Sequence, residues 1–544
     1  MWVEPNTNIR LLHNVPLDTT YDHTILFQSE GAQIQYFQSM TKYTFTSQTY
    51  QRVRRGVARL QQTAENLYDC NYMMFQNTAF GNKWFYAFIK NVEYVNNVTS
   101  EIEFEIDVLQ TWHFNYQLDA CFVERQHTTT DNIGDHLEAE PVALGESIFN
   151  GWEQLTTFSS DLLIVVAIAE VDTPAPTPDP DPEPNPDPEP TPVWSEGKIY
   201  DGVYGGLTLY AYHLSEVAQV NALIASKIQT PDAIQAIWMC PNTLLSISAT
   251  DHKIAQRVIA QPVPLTNSPS AISASATLDG YTPKNKKLYT YPYNYYHVDN
   301  LSGKGLDIRY EFCQNLTPTF TVYGSITQPV KIVLRPTNYK LRGTGVAYSH
   351  MDYTESLVLE NFPQCSWNMD AYWAWVAQNA VPETLNLGTA LLSGITSFFG
   401  GGDSTNKGAG LGVLSSSVGS LSRDYQASIK SDICKGSLYN GSVNVASGYM
   451  DYYGSRVSVN RNFARQIDDF FSRFGYAVNR LQTPNRSARP HWTYVKTAGC
   501  TVSGSVPCDD MRKICQIYDT GITWWNVPSE VGQYQLDNSP YQGG

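Results

Sequence analysis

The sequence predicts a mainly β chain with some helices, an α+β fold, on three observations. Aromatic residues make up 12% of the 544 positions and 35 of them are tyrosine, a residue that suits a half-buried pleated surface. Alternation with a period of two is clear at Trp84–Ile89 and Ile102–Leu109. Helical periodicity, by contrast, is confined to a few windows.

Residues 1–125 read mostly as strands. Within them Glu101, Glu103, Glu105 and Asp107 alternate with Ile102, Phe104, Ile106 and Val108. A strand places the four carboxylates on one face and the four apolar groups on the other. Like charges aligned on one face repel, and three readings account for them: a plain solvated face, a metal or acid/base site, and an acidic wall that repels a polyanion.

Residues 173–192, TPAPTPDPDPEPNPDPEPTP, carry proline at every second position. Proline fixes φ and removes the amide donor, so this segment is expected to be an extended polyproline II spacer of roughly 60 Å. Helices are expected near 215–240. Ser215 caps the first, with Val217, Val220, Ile224 and Ile228 on its apolar face. Thr230-Pro231-Asp232 opens a second, with proline at the first helical position. Tyr289, Tyr291, Tyr293 and Tyr295 alternate as a row, for strand packing or for stacking on sugars. Phe463, Ile467, Phe470, Phe471 and Phe474 fall at helical spacing with Gly475 as the cap, and strand-like pieces then run to Trp525.

The most unusual stretch is uncharged. Thr384–Gly402 reads TLNLGTALLSGITSFFGGG, and after Asp403 and Lys407 a second uncharged run extends from Gly408 to Ser422. Apolar weight sits in Leu385, Leu387, Leu391, Leu392, Ile395, Phe398 and Phe399, then in Leu411, Val413 and Leu414. Nineteen helical residues span about 28 Å, close to a hydrocarbon core. Glycines and hydroxyls nevertheless make the run a poor constitutive membrane helix. Small residues recur four apart, at Ala390–Gly394 and Ser393–Ser397, a spacing that lets helices approach closely in lipid. Burial within an oligomer and conditional insertion into a membrane both fit.

A net charge of −16 argues against tight nucleic-acid binding by counterion release. Nine scattered cysteines without a C-x-x-C pair predict reduced packing thiols rather than a disulfide framework. Cys500, Cys508 and Cys515 fit no zinc spacing well. The opening MWVEPNTNIR lacks the basic start and apolar stretch of a secretory signal. No Walker A loop, H-E-x-x-H, G-x-S-x-G or G-x-G-x-x-G fingerprint occurs. The expectation is a protein without enzymatic activity, cofactor or metal.

Several segments together resemble one family, the tail knob or distal tail tube proteins of small short-tailed phages of Gram-positive bacteria. They are MMFQN at Met73–Asn77, GNKWFYAF at Gly81–Phe88, FEIDVLQTW at Phe104–Trp112, YPY at Tyr291–Tyr293, FGYAVNRL at Phe474–Leu481 and TGITWW at Thr520–Trp525. The resemblance implies a β-rich tube module built from N- and C-terminal segments with a large central insertion. Its expected boundaries are 1–130 for the N-terminal tube domain, 131–375 for the insertion, 376–440 for a hydrophobic membrane-active loop and 441–544 for the closing segment.

It also implies a homohexamer at the distal end of the virion tail, assembled in the host cytoplasm. Such a tube abuts the upstream tail (lower collar) protein and conducts genomic DNA without binding it specifically. The loop plugs the tube and leaves it on infection to penetrate the host cytoplasmic membrane. Glu101, Glu103, Glu105 and Asp107 would then line the DNA channel. The alternative is a receptor-binding or cell-wall-degrading tail component with cell-wall glycan as its partner.

Overall fold

A computed structural model describes residues 6–48, 56–169, 199–200, 203–204, 207–226, 234–245, 252–254, 263–264, 272–301, 305–327, 330–339, 357–359, 364–366, 437–439 and 451–540. The chain divides into two units. The first comprises residues 1–146, 276–293 and 459–544, and the second residues 147–275 and 294–458. Residues 276–293 thus lie inside the stretch expected to be the insertion but belong to the first unit.

The first unit contains a six-stranded antiparallel sheet in the order Thr41–Gln48, Thr7–His13, Cys70–Asn77, Trp84–Asn96, Thr99–Ile106, Val57–Leu60. Alternation of side chains feeds two cores from its two faces. Leu11, Met73, Ala87, Ile102 and Phe104 belong to one cluster. Leu12, Tyr72, Met74, Tyr86 and Phe88 join Trp524, Val495 and Ile514 from the C-terminal segment in the other. A five-stranded sheet completes the unit, ordered His23–Ile25, Ile522–Trp525, Trp492–Ala498, Cys121–Gln126, Tyr476–Gln482. In it His23–Ile25 runs parallel to the last strand, so N- and C-terminal segments share one sheet.

The aromatic helix spans Arg461–Phe474. Asn460 caps it by accepting from the amides of Asn462 and Phe463. Its inward face buries Ala464, Ile467 and Phe471 beside Leu278, Leu288 and Tyr293. Gly475 ends it at φ 67°, where a Cβ would meet the Gln126 carbonyl at 2.4 Å; only glycine fits both the left-handed φ and the contact.

The second unit centres on a six-stranded sheet ordered Lys253–Ile254, Thr208–His213, Leu162–Ile168, Ile234–Pro241, Gln364–Ser366, Ser437–Tyr439. Every residue of Leu162–Ile168 is buried, as an apolar run in a sheet covered on both faces should be. Two four-stranded sheets accompany it. One is ordered Ser147–Gln154, Tyr453–Val459, Asn294–Asp299, Gly305–Ile308, and the other Val263–Pro264, Phe320–Gly324, Ile332–Pro336, Leu357–Leu359.

Several expectations change here. The first of the two helices near 215–240 exists, as Val217–Ser226, but Ser215 lies in a 3-10 turn ahead of it, Leu214–Glu216. The second is a strand instead. Ile234–Pro241 pairs with Leu162–Ile168, because its apolar run completes a buried sheet, and tertiary pairing overrides the proline start signal. Residues 230–232 lie outside the described residues. The strand expected through Leu109 stops at Ile106, where Asp107 caps a helical turn, Val108–Thr111. The tyrosine row is interrupted by a 3-10 turn, Lys286–Tyr289, so Tyr295 alone of the four lies on a strand. Cys508–Thr520 is a helix, with Asp509 and Asp510 in its first turn. The proline-rich spacer lies outside the described residues.

Candidate functional site

The two uncharged runs, with Leu385, Leu387, Leu391, Leu392, Ile395, Phe398, Phe399, Leu411, Val413 and Leu414, lie outside the described residues. Two short strands further out, one on each side, are described. Gln364–Ser366 and Ser437–Tyr439 are antiparallel neighbours, with Cα partners Gln364↔Tyr439, Cys365↔Leu438 and Ser366↔Ser437. Residues 367–436 therefore leave from and return to adjacent strands at the edge of the six-stranded sheet. An excursion whose ends are pinned this way can be lengthened or emptied without disturbing the register behind it.

The acidic strand is only partly an acidic wall. Glu101, Glu103 and Glu105 share the face opposite buried Ile102 and Phe104. Glu101 pairs with Arg59 at 2.8 Å across the edge strand Val57–Leu60. Glu105 pairs with Lys90 at 2.6 Å and with Lys513 of the helix Cys508–Thr520. The hydrogen bonds from Lys513 and Lys90 hold the Glu105 carboxyl below its ordinary range. Glu103 is exposed. So two of the three carboxylates on this face are matched by cations.

Asp107 does not belong to the row. It is 1% exposed, accepts the amides of Leu109 and Gln110 at 3.1 Å each, and takes the Tyr72 hydroxyl at 2.8 Å. Burial pushes its carboxyl up to about 6. The chain turns into a helix at this residue, which withdraws its side chain from the strand's outer face. Its assignment to a channel lining is therefore corrected: Asp107 is an internal cap.

The sequence motifs converge on this region. Trp112, which ends the FEIDVLQTW stretch, donates its indole N–H to Asp510 at 2.8 Å, and Lys83 of GNKWFYAF lies 3.8 Å from its ring centroid. Residues 265–539 match the family described as Bacillus phage phi29, tail knob protein gp9, C-terminal domain. The chain belongs to the phage tail knob family. Residues 5–117 also match the family described as caudoviral major tail protein N-terminus.

Among similar proteins, the tail knob proteins gp9 of Bacillus phage PZA and Bacillus phage phi29 are each 24% identical over 98% of both chains. The solved tail knob protein gp12 of bacteriophage C1 shares the fold at a TM-score of 0.57 and 15% identity, over 98% of this chain and 99% of that one. As a tail knob protein, the chain is a component of a phage virion tail.

Among the described residues no group of three or more His, Cys, Asp or Glu is placed to hold a metal. Cys500 is buried, Cys515 half-buried and Cys508 exposed. Burial raises the thiols of Cys500 and Cys515 above their ordinary range, which suits packing better than reactivity. No helix of the described residues is long and apolar enough to cross a membrane.

Sequence reasoning missed a second exposed surface, in the second unit. Phe149 and Trp152 are about half exposed, with near-parallel rings whose centroids lie 5.9 Å apart. Three residues apart on a strand they should face opposite ways. Gly151 lies between them at φ 82°, and this left-handed residue turns Trp152 toward the side of Phe149. Both rings approach His297, which bonds Asp307 at 2.7 Å and lies 3.4 Å from Asp299. The hydrogen bond to Asp307 raises the His297 imidazole above its ordinary range. The F-N-G-W sequence, glycine between two aromatics, was the available signal.

Proposed function

We propose that six copies of this tail knob protein close into a tube that conducts the genome. In this reading the excursion 367–436 occupies the lumen before infection and enters the host cytoplasmic membrane afterwards. The tube sits at the distal end of the tail, against the upstream lower collar protein, and is assembled in the host cytoplasm. The observation that carries the reading is the pairing of Gln364–Ser366 with Ser437–Tyr439. It makes the apolar run a separable excursion anchored at both ends of its stem, able to change environment while the sheet behind it stays intact. Membership of the family and the two uncharged runs Thr384–Gly402 and Gly408–Ser422 support it.

The same pairing supplies the test. Ser366 and Ser437 are Cα partners, so residues 367–436 can be replaced by a two-residue Asn-Gly turn, which suits a hairpin. The shortened protein should still form six-fold rings in electron micrographs and should no longer release dye from liposomes. Undiminished leakage from the shortened protein would sink the membrane role, and particles without a ring would sink the tube.

For the acidic strand we propose that Glu101, Glu103 and Glu105 face the DNA path, keeping it from adhering in transit. A second reading, a receptor-binding tail component, draws on Phe149, Trp152, His297, Asp299 and Asp307. Flat aromatic faces beside carboxylates suit a pyranose ring and its hydroxyls. Retention on purified cell walls that is lost on Trp152→Ala favours this reading; released sugars or peptides would instead favour a degrading enzyme.

A further inference from the structure

A cavity of about 320 Å³ opens in the first unit between the helix Arg461–Phe474 and the segment 534–539. Arg489 lines it and is 2% exposed. One terminal nitrogen reaches the Asn538 carbonyl at a long 3.4 Å, and its Nε meets no acceptor. The guanidinium also bonds the Tyr476 side chain, and the carboxylate that acts on it most, Asp131, already accepts the Tyr476 hydroxyl at 2.7 Å and the Lys286 amide at 3.1 Å. Burial holds the guanidinium below the ordinary arginine range, yet it remains a cation at any physiological pH. A buried charge of this kind is normally paired or hydrogen-bonded on every side.

Two further cations line the same cavity. Lys284 comes from the re-entrant segment 276–293 and Arg473 from the helix, the latter 4.4 Å from the Tyr534 ring centroid. The lining acids, two against three cations, compensate incompletely, although Asp537 feels the charge of Lys284. Asp537 accepts the amide and hydroxyl of Ser539 at 3.2 and 2.6 Å, and Asp469 is exposed. His127 adds no charge: it accepts the Tyr494 amide at 2.8 Å, faces the Ser472 carbonyl at 3.1 Å, and is pushed down to about 3 by burial.

We infer that this cavity is a binding site for a phosphate group. Arg489 supplies a nearly buried guanidinium, and Arg473 and Lys284 supply charge from two other segments. Asp131 acts on Arg489 and Asp537 on Lys284, so three cations meet in one cavity with their carboxylates shared among other donors. Phosphate suits the set better than carboxylate, because its oxygens can meet donors on several sides at once. A volume of this order also admits the carbon group that a phosphate esterifies. The phosphate is either free or carried as an ester, and the ligands of the test distinguish these.

The test is calorimetric titration of the full chain with inorganic phosphate, glycerol 3-phosphate and acetate. One phosphate should bind per chain, with acetate at least tenfold weaker. Glycerol 3-phosphate binding tighter than inorganic phosphate identifies an ester site; the reverse order identifies a free-ion site. Arg473→Gln and Lys284→Gln, both away from the packed interior, should each weaken phosphate roughly tenfold without moving the thermal midpoint. Arg489→Lys retains the charge but loses the fork and should weaken it further. No binding at millimolar phosphate, equal affinity for acetate, or unchanged affinity in both glutamine variants would overturn the assignment. Ring formation and dye release do not depend on this cavity, so its failure leaves the tube reading untouched.

Discussion

In the first unit, buried carboxylates join segments far apart in the chain; in the second, an apolar strand does most of the joining. Glu140 has a fully buried side chain and pairs with both Arg125 and Lys287, while accepting the Ala477 amide at 2.8 Å. Asp468 is 0% exposed and takes the Tyr281 hydroxyl and the Lys284 and Asn285 amides at 2.8–2.9 Å. Both tie residues 276–293 to the rest of the unit. The second unit has one comparable residue among those described, Asp451, which gathers Thr156, Phe158 and Ser159. Its main core runs through Leu162, Leu163, Val165 and Ala167. A unit assembled from three separate pieces of chain needs directional bonds to fix their register, which non-directional apolar burial does not supply.

Breaking the polar side should cost most. Glu140→Ala leaves two buried cations without their carboxylate and should destabilise the first unit by roughly 3–5 kcal/mol. Hydrogen exchange would locate the loss: protection should fall along Cys121–Gln126 and Tyr476–Gln482 and hold along Leu162–Ile168. Equal loss in both units would dissolve the contrast. The apolar counterpart is Leu163→Ala, at a site that is 0% exposed. It should cost about 3 kcal/mol through lost burial and the cavity left behind, with protection falling along Leu162–Ile168 and its neighbours.

Acid sharpens the comparison through the first unit's buried titrating groups. Burial pushes His113 down to about 4 and His127 down to about 3. A base whose folded pKa is depressed stabilises the fold above its unfolded value near 6.5 and loses that contribution as pH falls. Asp107 acts oppositely. Its folded value of about 6 exceeds the unfolded 3.8, so its contribution is present below pH 4 and lost as pH rises through 6. Between pH 6 and 4 two histidines oppose one aspartate, and these groups together should remove about 1.4 kcal/mol per pH unit on acidification. Denaturant midpoints from pH 7 to 4 check the slope, and His127→Gln should flatten it.

What could be read from the sequence follows the range of the interactions. The helix Arg461–Phe474 and its Gly475 stop are local signals and were legible, as was the alternation of Glu101, Glu103 and Glu105. Asp107 was misplaced because an aspartate continuing a strand and an aspartate capping the next helical turn look alike until the chain turns. Ile234–Pro241 was assigned to a helix because its strand character comes from Leu162–Ile168, not from its own residues. Glu140, Asp468 and Arg489 carried no signal at all. Lys287 and Ala477 lie more than a hundred positions from Glu140, as do Tyr281, Lys284 and Asn285 from Asp468, and Asn538 lies 49 from Arg489; spacing is silent about all of them. The family resemblance reached further than the local patterns because motifs such as FEIDVLQTW record the packing itself: Tyr72 on Asp107, Asp510 on Trp112.

The smallest effect on stability belongs to the acidic strand, and there it separates stability from function. Arg59, Lys90 and Lys513 are each engaged by Glu101 or Glu105. Pairs that water still reaches on at least one side contribute little to folding, so Glu101→Gln, Glu103→Gln and Glu105→Gln together should leave the thermal midpoint nearly unmoved. Their effect on a polyanion should be larger, because the substitutions remove repulsion and also free three cations to meet phosphates. If the row faces the DNA path, rings carrying all three changes should retain double-stranded DNA on the order of tenfold more tightly at low salt, and release it steeply as salt rises. Unchanged retention would place the row away from the DNA. Retention without salt dependence would show that the liberated cations are not what holds it. In this reading the glutamates matter less as a wall of negative charge than as partners that keep nearby lysines and an arginine occupied.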